Sequence, residues 1–335
     1  MTITIRDVAD AAGVSTATVS RALRGLANVD DQTRARVQQV AVDLDYVISP
    51  SASRLASGRT GSIGVVTPYI ARWFFATVLS GVEGVLQNAG MDLLLMSVSS
   101  ADGHLRLPPA PRLRRRVDAV LAISLPPDDP QLTEVLALGM PTSLIGTQRA
   151  GVPGVTIDDV QAGRMATQHL INLGHTSIGV IGGYQVDALH TAEHDRYRGY
   201  VQAMQTANLP VDRNRETYGY FTVTGGEQAM TQLLTHPNRP TAVFVMSDEM
   251  AFGAIRAMRA HGLTPGKDIS IVGVDNHDLA ELLDLSTVAQ PVADMGRIAA
   301  ESLLVQLRTG AANSGLESLQ LPTQLIVRGS TAPVA

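Results

Sequence analysis

Cysteine is missing from all 335 residues, so neither a disulfide framework nor thiol chemistry is open to this chain. Lysine is nearly missing: Lys267 stands alone, a bias attributed to Arg-rich codon usage, and cationic contacts fall to arginine. Aromatic residues make up only 4%, and no apolar run is long enough to span a bilayer. The N-terminus lacks the apolar stretch of a signal peptide, so a cytoplasmic protein is expected. Excess positive charge is lacking too. The formal charge is −5, which excludes a general basic coat of the kind that holds nucleic acid without specificity. Also absent are the strings G-x-x-x-x-G-K-[ST], G-x-G-x-x-G and G-x-S-x-G, leaving nucleotide, dinucleotide and esterase chemistry without their usual phosphate cradle or nucleophile elbow.

What is present begins at Ile5 to Leu23, IRDVADAAGVSTATVSRAL. Val8, Ala9 and Ala12 fall on one face of a short helix, Thr4 stands at its N-cap, and Gly13 ends it. Ser15 can cap a second helix whose Val19, Ala22 and Leu23 face inward, while Thr16, Ala17, Ser20, Arg21 and Arg24 share an outer face without an acid. Short hydroxyls, a methyl and arginines suit a helix that enters a major groove; a merely solvated packing module is the plainer alternative. Asp30 can cap a third helix through Asp45, with Val37, Val40, Ala41 and Leu44 on its inner face. Ser49 to Gly58 then spells one very short helix, with Pro50 at its first position and Gly58 closing it. Such a helix is ordered only when docked, because isolated helices below about 12 residues are marginal in water.

Several strings now carry a family resemblance: DVA at Asp7 to Ala9, AGVS at Ala12 to Ser15, ATVSR at Ala17 to Arg21, TRARV at Thr33 to Val37, and Tyr46 followed by Leu55. With these the chain resembles the lactose-repressor (LacI/GalR) family of bacterial transcription regulators, and the resemblance runs through its whole length. It implies operator double-stranded DNA as a partner, with Thr4, Arg6, Ser15, Thr16, Ala17, Thr18, Ser20, Arg21, Arg24 and Asn28 at the duplex. It also implies that a hinge helix carrying Ser53, Leu55 and Ala56 enters the minor groove, with Leu55 as a wedge. Ile48 stands where the family usually has Pro, and Ser53-Arg54 reverses a frequent order. The expected domains are a helix-turn-helix unit at 1–46, a hinge at 47–60, and a two-lobed effector and dimerisation core at 61–335.

From Gly61 onward short β-rich runs alternate with helical stretches, the pattern of an α/β fold with parallel sheets. Strands are expected at Ser62 to Val66, Met91 to Met96, Val117 to Ile123 and Ser143 to Ile145. A second series follows at Ser177 to Ile181, Thr217 to Phe221, Ala242 to Met246 and Ile269 to Val274. Two such series make two doubly wound lobes, an arrangement like that of periplasmic binding proteins. Val155 to Asp159 and Ser286 to Pro291 read as crossovers. The first lobe then takes about 61–158 and 291–321, with a helix from Val292 to Arg308; the second takes about 159–290 and 322–335, with a last strand near Gln324 to Val327. The run Arg112 to Arg116, after a Pro-rich stretch, reads as a solvated surface.

Ligands of open α/β sheets sit beyond the carboxyl ends of the strands. Asp248 and Asp275 follow strands there, and Arg196 opens a helix after the Gly182-Gly183 turn; together they could fork hydrogen bonds onto the hydroxyls of a polyol. By position alone the two acids could equally cap the helices that follow. The resemblance implies that Arg196, Asp248 and Asp275 contact an effector, with Trp73, Phe74 and Phe75 lining the same cleft and Gln290 nearby. His190-Thr191-Ala192-Glu193-His194 has a zinc-peptidase spacing, but it falls in a loop, and no metal or other cofactor is expected. The chain ends without a heptad extension, so a homodimer is expected. The resulting reading is a ligand-responsive repressor on a near-palindromic operator, controlled by a small molecule, a sugar, and not an enzyme. A solute-binding protein of a transport system is the alternative that the lobes alone would fit.

Overall fold

Thr4 starts the first helix by donating its amide and hydroxyl to the Asp7 carboxylate at 2.8 and 2.7 Å, which fixes the entry of α1 (Ile5–Ala12). Gly13, at φ 63°, closes that helix in the left-handed region. Ser15 Oγ then accepts the Thr18 amide at 3.1 Å and opens α2 (Thr16–Leu23); Asp30 accepts the Thr33 amide at 2.9 Å and opens α3 (Asp31–Asp43). Val8, Ala9, Ala12, Val19, Ala22, Val37 and Ala41 form the small core between the three. The third helix stops before the expected Asp45, which has a positive φ of 50°. These coordinates are a computed structural model, and it describes residues 3–23, 25–46, 59–97, 110–183, 191–310, 312 and 317–334. Arg24 and the hinge residues Ser53, Leu55 and Ala56 lie outside the described residues.

The chain divides into two units, 1–61 and 62–335. In the second, the first half alternates β1 (Ser62–Thr67), α4 (Trp73–Asn88), β2 (Asp92–Ser97), α5 (Ala110–Leu113), β3 (Ala119–Ile123), α6 (Pro130–Ala137), β4 (Thr142–Ile145) and β5 (Gly154–Ile157). The chain continues through α7 (Asp159–Asn172), β6 (Ile178–Gly182), α8 (Thr191–Thr206), β7 (Glu216–Tyr218), α9 (Val223–Thr235), β8 (Ala242–Val245), α10 (Asp248–Ala260), β9 (Ser270–Asp275) and β10 (Ser286–Ala289). It finishes with α11 (Val292–Thr309), β11 (Leu319–Leu321) and β12 (Gln324–Ile326). One parallel sheet has the order β11-β5-β4-β3-β1-β2; the other has the order β12-β10-β9-β8-β6-β7, parallel except where β12 pairs antiparallel with β10. Helix α11 returns from the second sheet to pack on α4 and on β3 to β5 of the first.

Both segments expected as simple crossovers contain strands. Gly154–Ile157 pairs with β4, and Ser286–Ala289 pairs with β9. Leu319–Leu321 is a further strand that was not expected. Each is only three or four residues long, too short for alternation to register against the neighbouring turns. The strand expected through Phe221 ends at Tyr218, because Tyr220 and Phe221 both adopt positive φ, 55° and 51°. Trp73 to Phe75 lie in the first turn of α4, and Thr191 to His194 lie in the first turn of α8 rather than in a loop.

Helices α7 and α8 cross closely enough to demand glycine on both sides. A β-carbon at Gly199 would overlap the Val160 carbonyl, and one at Gly163 would overlap the Arg196 carbonyl. That crossing fixes the helix that carries Arg196 against the helix that carries Asp159. Gly84, in α4, has nothing within 4 Å of where a β-carbon would stand. Gly199→Ala is therefore expected to cost about 1–3 kcal/mol by overpacking, whereas Gly84→Ala gains about 0.5–1 kcal/mol from helix propensity. Thermal unfolding of the two variants checks this; shifts of the same sign would refute the crossing argument.

Candidate functional site

A cleft partly open to solvent lies beyond the carboxyl ends of both sheets. Ser124, Gly146 and Ile157 bring the first sheet to it; Ser247, Asp275 and Gln290 bring the second. Phe74 and Phe75 enter from the first turn of α4 and Phe221 from the turn after β7, so the wall combines phenyl rings with a few charged and amide groups.

Arg196 is the centre of the polar wall, and only 6% of it is exposed. Its Nε donates to Asp159 at 2.8 Å, its Nη1 donates to the Met246 carbonyl at 2.5 Å, and the same nitrogen lies 3.9 Å from Asp275. Nη2 has no protein partner among the described residues. Burial opposes the guanidinium charge, but Asp159 and Asp275 outweigh it and hold the group above its ordinary pKa. Asp275 accepts a hydrogen bond from Gln290 at 2.6 Å, and its backbone has a φ of 133°, strained for a residue with a side chain. Asn276 follows, also at positive φ (57°), held by the Thr287 hydroxyl and by Arg328. Strain of this kind persists only where surrounding bonds over-determine it, and it concentrates at functional sites.

The structure brings Phe74, Phe75, Arg196, Asp275 and Gln290 together in one cleft and leaves two expected residues outside it. Asp248 is fully buried behind the cleft, accepting the Thr287 hydroxyl at 2.7 Å and the His277 amide at 2.9 Å. The N-cap of α10 is Ser247, not Asp248. Gly273 makes room for the Asp248 carboxylate, since a β-carbon there would overlap it. Trp73 turns to the rim: its ring stacks on His277 at 4.9 Å and its indole N–H donates to Asp278 at 3.2 Å. The same rim sets the Trp73 amide and the Arg72 guanidinium against Glu249, whose carboxyl burial pushes up against their pull. These contacts join the two lobes. Asp159, Glu249, Ser247 and the His277-Asp278 pair were not legible as site residues in the sequence; the acidic pair Asp158-Asp159 at the end of the first crossover was the available signal for the first.

On the first unit, Thr4, Arg6, Ser15, Thr16, Ala17, Arg21 and Asn28 are exposed, while Thr18 and Ser20 are half-buried. Thr18 is also tied to Ser15 through its side chain at 2.9 Å. Glu193 and His194 of the zinc-like string lie on α8, His190 lies outside the described residues, and no metal-binding group of three His, Asp or Glu exists among the described residues. No helix among them is long and apolar enough to cross a membrane.

A three-helix unit of this kind ahead of two sheets with an inter-lobe cleft matches known proteins along its entire length. Residues 4–49 match the model of bacterial regulatory proteins of the lacI family, and residues 167–331 match a periplasmic binding protein-like domain. The transcriptional regulator DegA of Bacillus subtilis is 34% identical over 100% of this chain and 99% of its own. The chain belongs to the LacI family. Among solved structures, a complex of the regulator CelR with cellobiose matches this LacI-family chain with a TM-score of 0.70 and 32% identity over 98% of it and 99% of CelR. The lac repressor dimer bound to operator and an anti-inducer matches it with a TM-score of 0.85 and 25% identity over 99% of this chain and 100% of that one. Its relatives are transcription regulators, and this LacI-family protein is not an enzyme.

The buried acids of the cleft give a signed pH dependence. Burial pushes Asp275 up to about 6, against the pull of Arg196 and Gln290; Asp248 also lies well above the carboxylate range, through burial and the neighbouring Asp275 charge. The folded state thus binds a proton at Asp275 that the unfolded chain has already lost between pH 4 and 6. This group therefore takes stability away as pH rises through that window and nothing further above it. Asp275→Asn is expected to flatten that part of the stability curve. Urea unfolding of both proteins from pH 4 to 7 checks it; an unchanged slope would place the proton elsewhere.

Proposed function

We propose that the chain represses transcription as a homodimer on a near-palindromic operator with a central CG step, under the control of a sugar held between its lobes. The polar wall carries this reading. Arg196 keeps one nitrogen open while Asp159 and Met246 hold the others, so the guanidinium is oriented before any ligand arrives, and Asp275 and Gln290 stand beside it as acceptor and amide. Phe74 and Phe75 offer ring faces to the C–H side of a pyranose or furanose. Cellobiose in CelR is a precedent for this choice of ligand on the same fold.

Control follows from the rim. Because Trp73 and Arg72 of the first lobe meet His277, Asp278 and Glu249 of the second, a ligand that changes the closure of the cleft reorients the lobe through which the DNA-reading unit is attached. Such a ligand shifts operator affinity only by its difference in affinity for the two arrangements. Thr16, Ala17 and Arg21 read base edges, with Leu55 as the wedge at the operator centre. The protein acts in the cytoplasm, where its operator is.

The test begins with an operator selected from random duplexes by the wild-type chain, followed by titration with cellobiose, ribose and a panel of mono- and disaccharides. Trp73, the only tryptophan, reports cleft occupancy by fluorescence, and anisotropy reports DNA release or tightening. Arg196→Ala and Gln290→Ala are expected to weaken the sugar about 10- to 100-fold, the worth of a charged or buried hydrogen bond of about 1.5–3 kcal/mol. Operator affinity without sugar stays intact in both. A sugar titration unaltered in the two variants would remove the cleft assignment, and equal affinity for scrambled DNA at all salt concentrations would remove the repressor reading.

A further inference from the structure

We propose that Arg112, Arg114, Arg115 and Arg116 form a second DNA-contacting surface, on the first lobe, which grips the phosphate backbone of the operator that the reader helices select. The proposal rests on the DNA-binding reading above and extends it to the core.

The run is built into the fold rather than hung from it. Leu113 and Val117 are 0% and 1% exposed and pack with Val66, Met96 and Val120 on the outer face of the first sheet. All four arginines between and beside these anchors are exposed. None of the four guanidinium groups makes a hydrogen bond or ion pair with the described residues, although the backbone of the run is bonded, Arg116 N–H to the Leu113 carbonyl at 2.8 Å. Several other arginines of the core are secured: Arg149 on a carbonyl and a hydroxyl, Arg196 on Asp159, Arg297 on Asp294 and Glu301, and Arg328 on Leu285 and Asn276. Four like charges within five residues repel one another, and no other five-residue stretch of this chain concentrates cations so densely. The setting makes the contrast sharper. Through Thr60 the chain has seven arginines and six aspartates, so the remainder has a net charge of −6.

Location identifies the partner. The Asp118 amide donates to the Ser62 carbonyl at 2.8 Å, and Ile63 lies opposite Ala119 in the sheet, so the run ends two residues from the edge where the chain enters the core from its DNA-reading unit. This is the amino-terminal edge of the strands, at the opposite end of the sheet from the effector cleft. Asp92 and Asp118, the acids of that edge, are engaged in interactions of their own. The unit formed by residues 1–46 is joined in sequence to the core at this edge, and linkage through the chain lets individually weak contacts count. Planar guanidinium groups match phosphate oxygens in a two-pronged geometry without reading sequence.

The experiment compares the full-length wild type with Arg112→Gln/Arg114→Gln/Arg115→Gln/Arg116→Gln on the selected operator, measuring Kd from 50 to 300 mM salt. Each lost phosphate contact is expected to make the slope of log affinity against log salt shallower by about 0.9. A loss of two or more in slope, and of about 10-fold or more in affinity at low salt, supports the proposal when sugar binding and thermal stability are unchanged. Should the quadruple variant fold poorly, Arg114→Gln/Arg115→Gln is expected to give a proportionate decrease. An unaltered slope in a folded variant overturns the proposal, and lost binding to polyglutamate alongside it would assign the run to an acidic protein instead. Absence of operator binding by the wild type overturns this proposal and the repressor reading together, whereas normal wild-type binding with an unaltered slope overturns this one alone.

Discussion

A guanidinium buried to 6% exposure cannot be tolerated without partners, and the partners Arg196 recruits define the cleft. Asp159 comes from the helix that follows the first crossover, the Met246 carbonyl from the end of β8, and Asp275 from the end of β9. One side chain therefore ties together three elements distant in sequence, and it does so where both sheets end. The interaction is possible only because Gly163 and Gly199 let α7 and α8 touch backbone to backbone, which brings Asp159 within 2.8 Å of the arginine. Packing and electrostatics are a single constraint here.

From that anchor the rest of the site can be followed outward. Asp275 takes a strained backbone conformation to meet Arg196 and Gln290, and the Thr287, Arg328 and Asp248 network behind it holds the strain in place. The rim then joins the second lobe to the first through Trp73 and Arg72. The DNA-reading unit is built differently. Its core is mostly valine and alanine, and its reading face offers short side chains with few charges. On the proposed reading, specificity from so spare a face draws on DNA deformability as much as on direct base contacts, and the arginine run on the first lobe is the proposed source of further phosphate contacts.

Much of this was legible in the sequence, for identifiable reasons. Caps and helix faces at Thr4, Ser15 and Asp30 are local, so α1 to α3 could be read directly; long parallel strands such as Ser62–Thr67 declare themselves as unbroken apolar runs. Short strands did not: Gly154–Ile157, Ser286–Ala289 and Leu319–Leu321 gain their stability from neighbours far along the chain. At the site, residues ending strands were found because topology places them there. The direction of a side chain was not available from topology. Asp248 lies three residues past its strand like a ligand contact yet turns into the protein, and Trp73 turns to the rim while Phe74 and Phe75 turn to the cleft. Asp159 was missed because its role exists only once Arg196 is beside it.

The central claim is that the cleft and the operator are two sites on one equilibrium. Its most direct measurement is a closed thermodynamic cycle: operator affinity with and without saturating sugar, and sugar affinity with and without saturating operator, on the full-length chain under one buffer. Linkage requires both ratios to be the same. The account predicts equal factors different from one, both collapsing to one in Arg196→Ala. A sugar that binds the cleft tightly yet leaves both ratios at one in the wild type would contradict it.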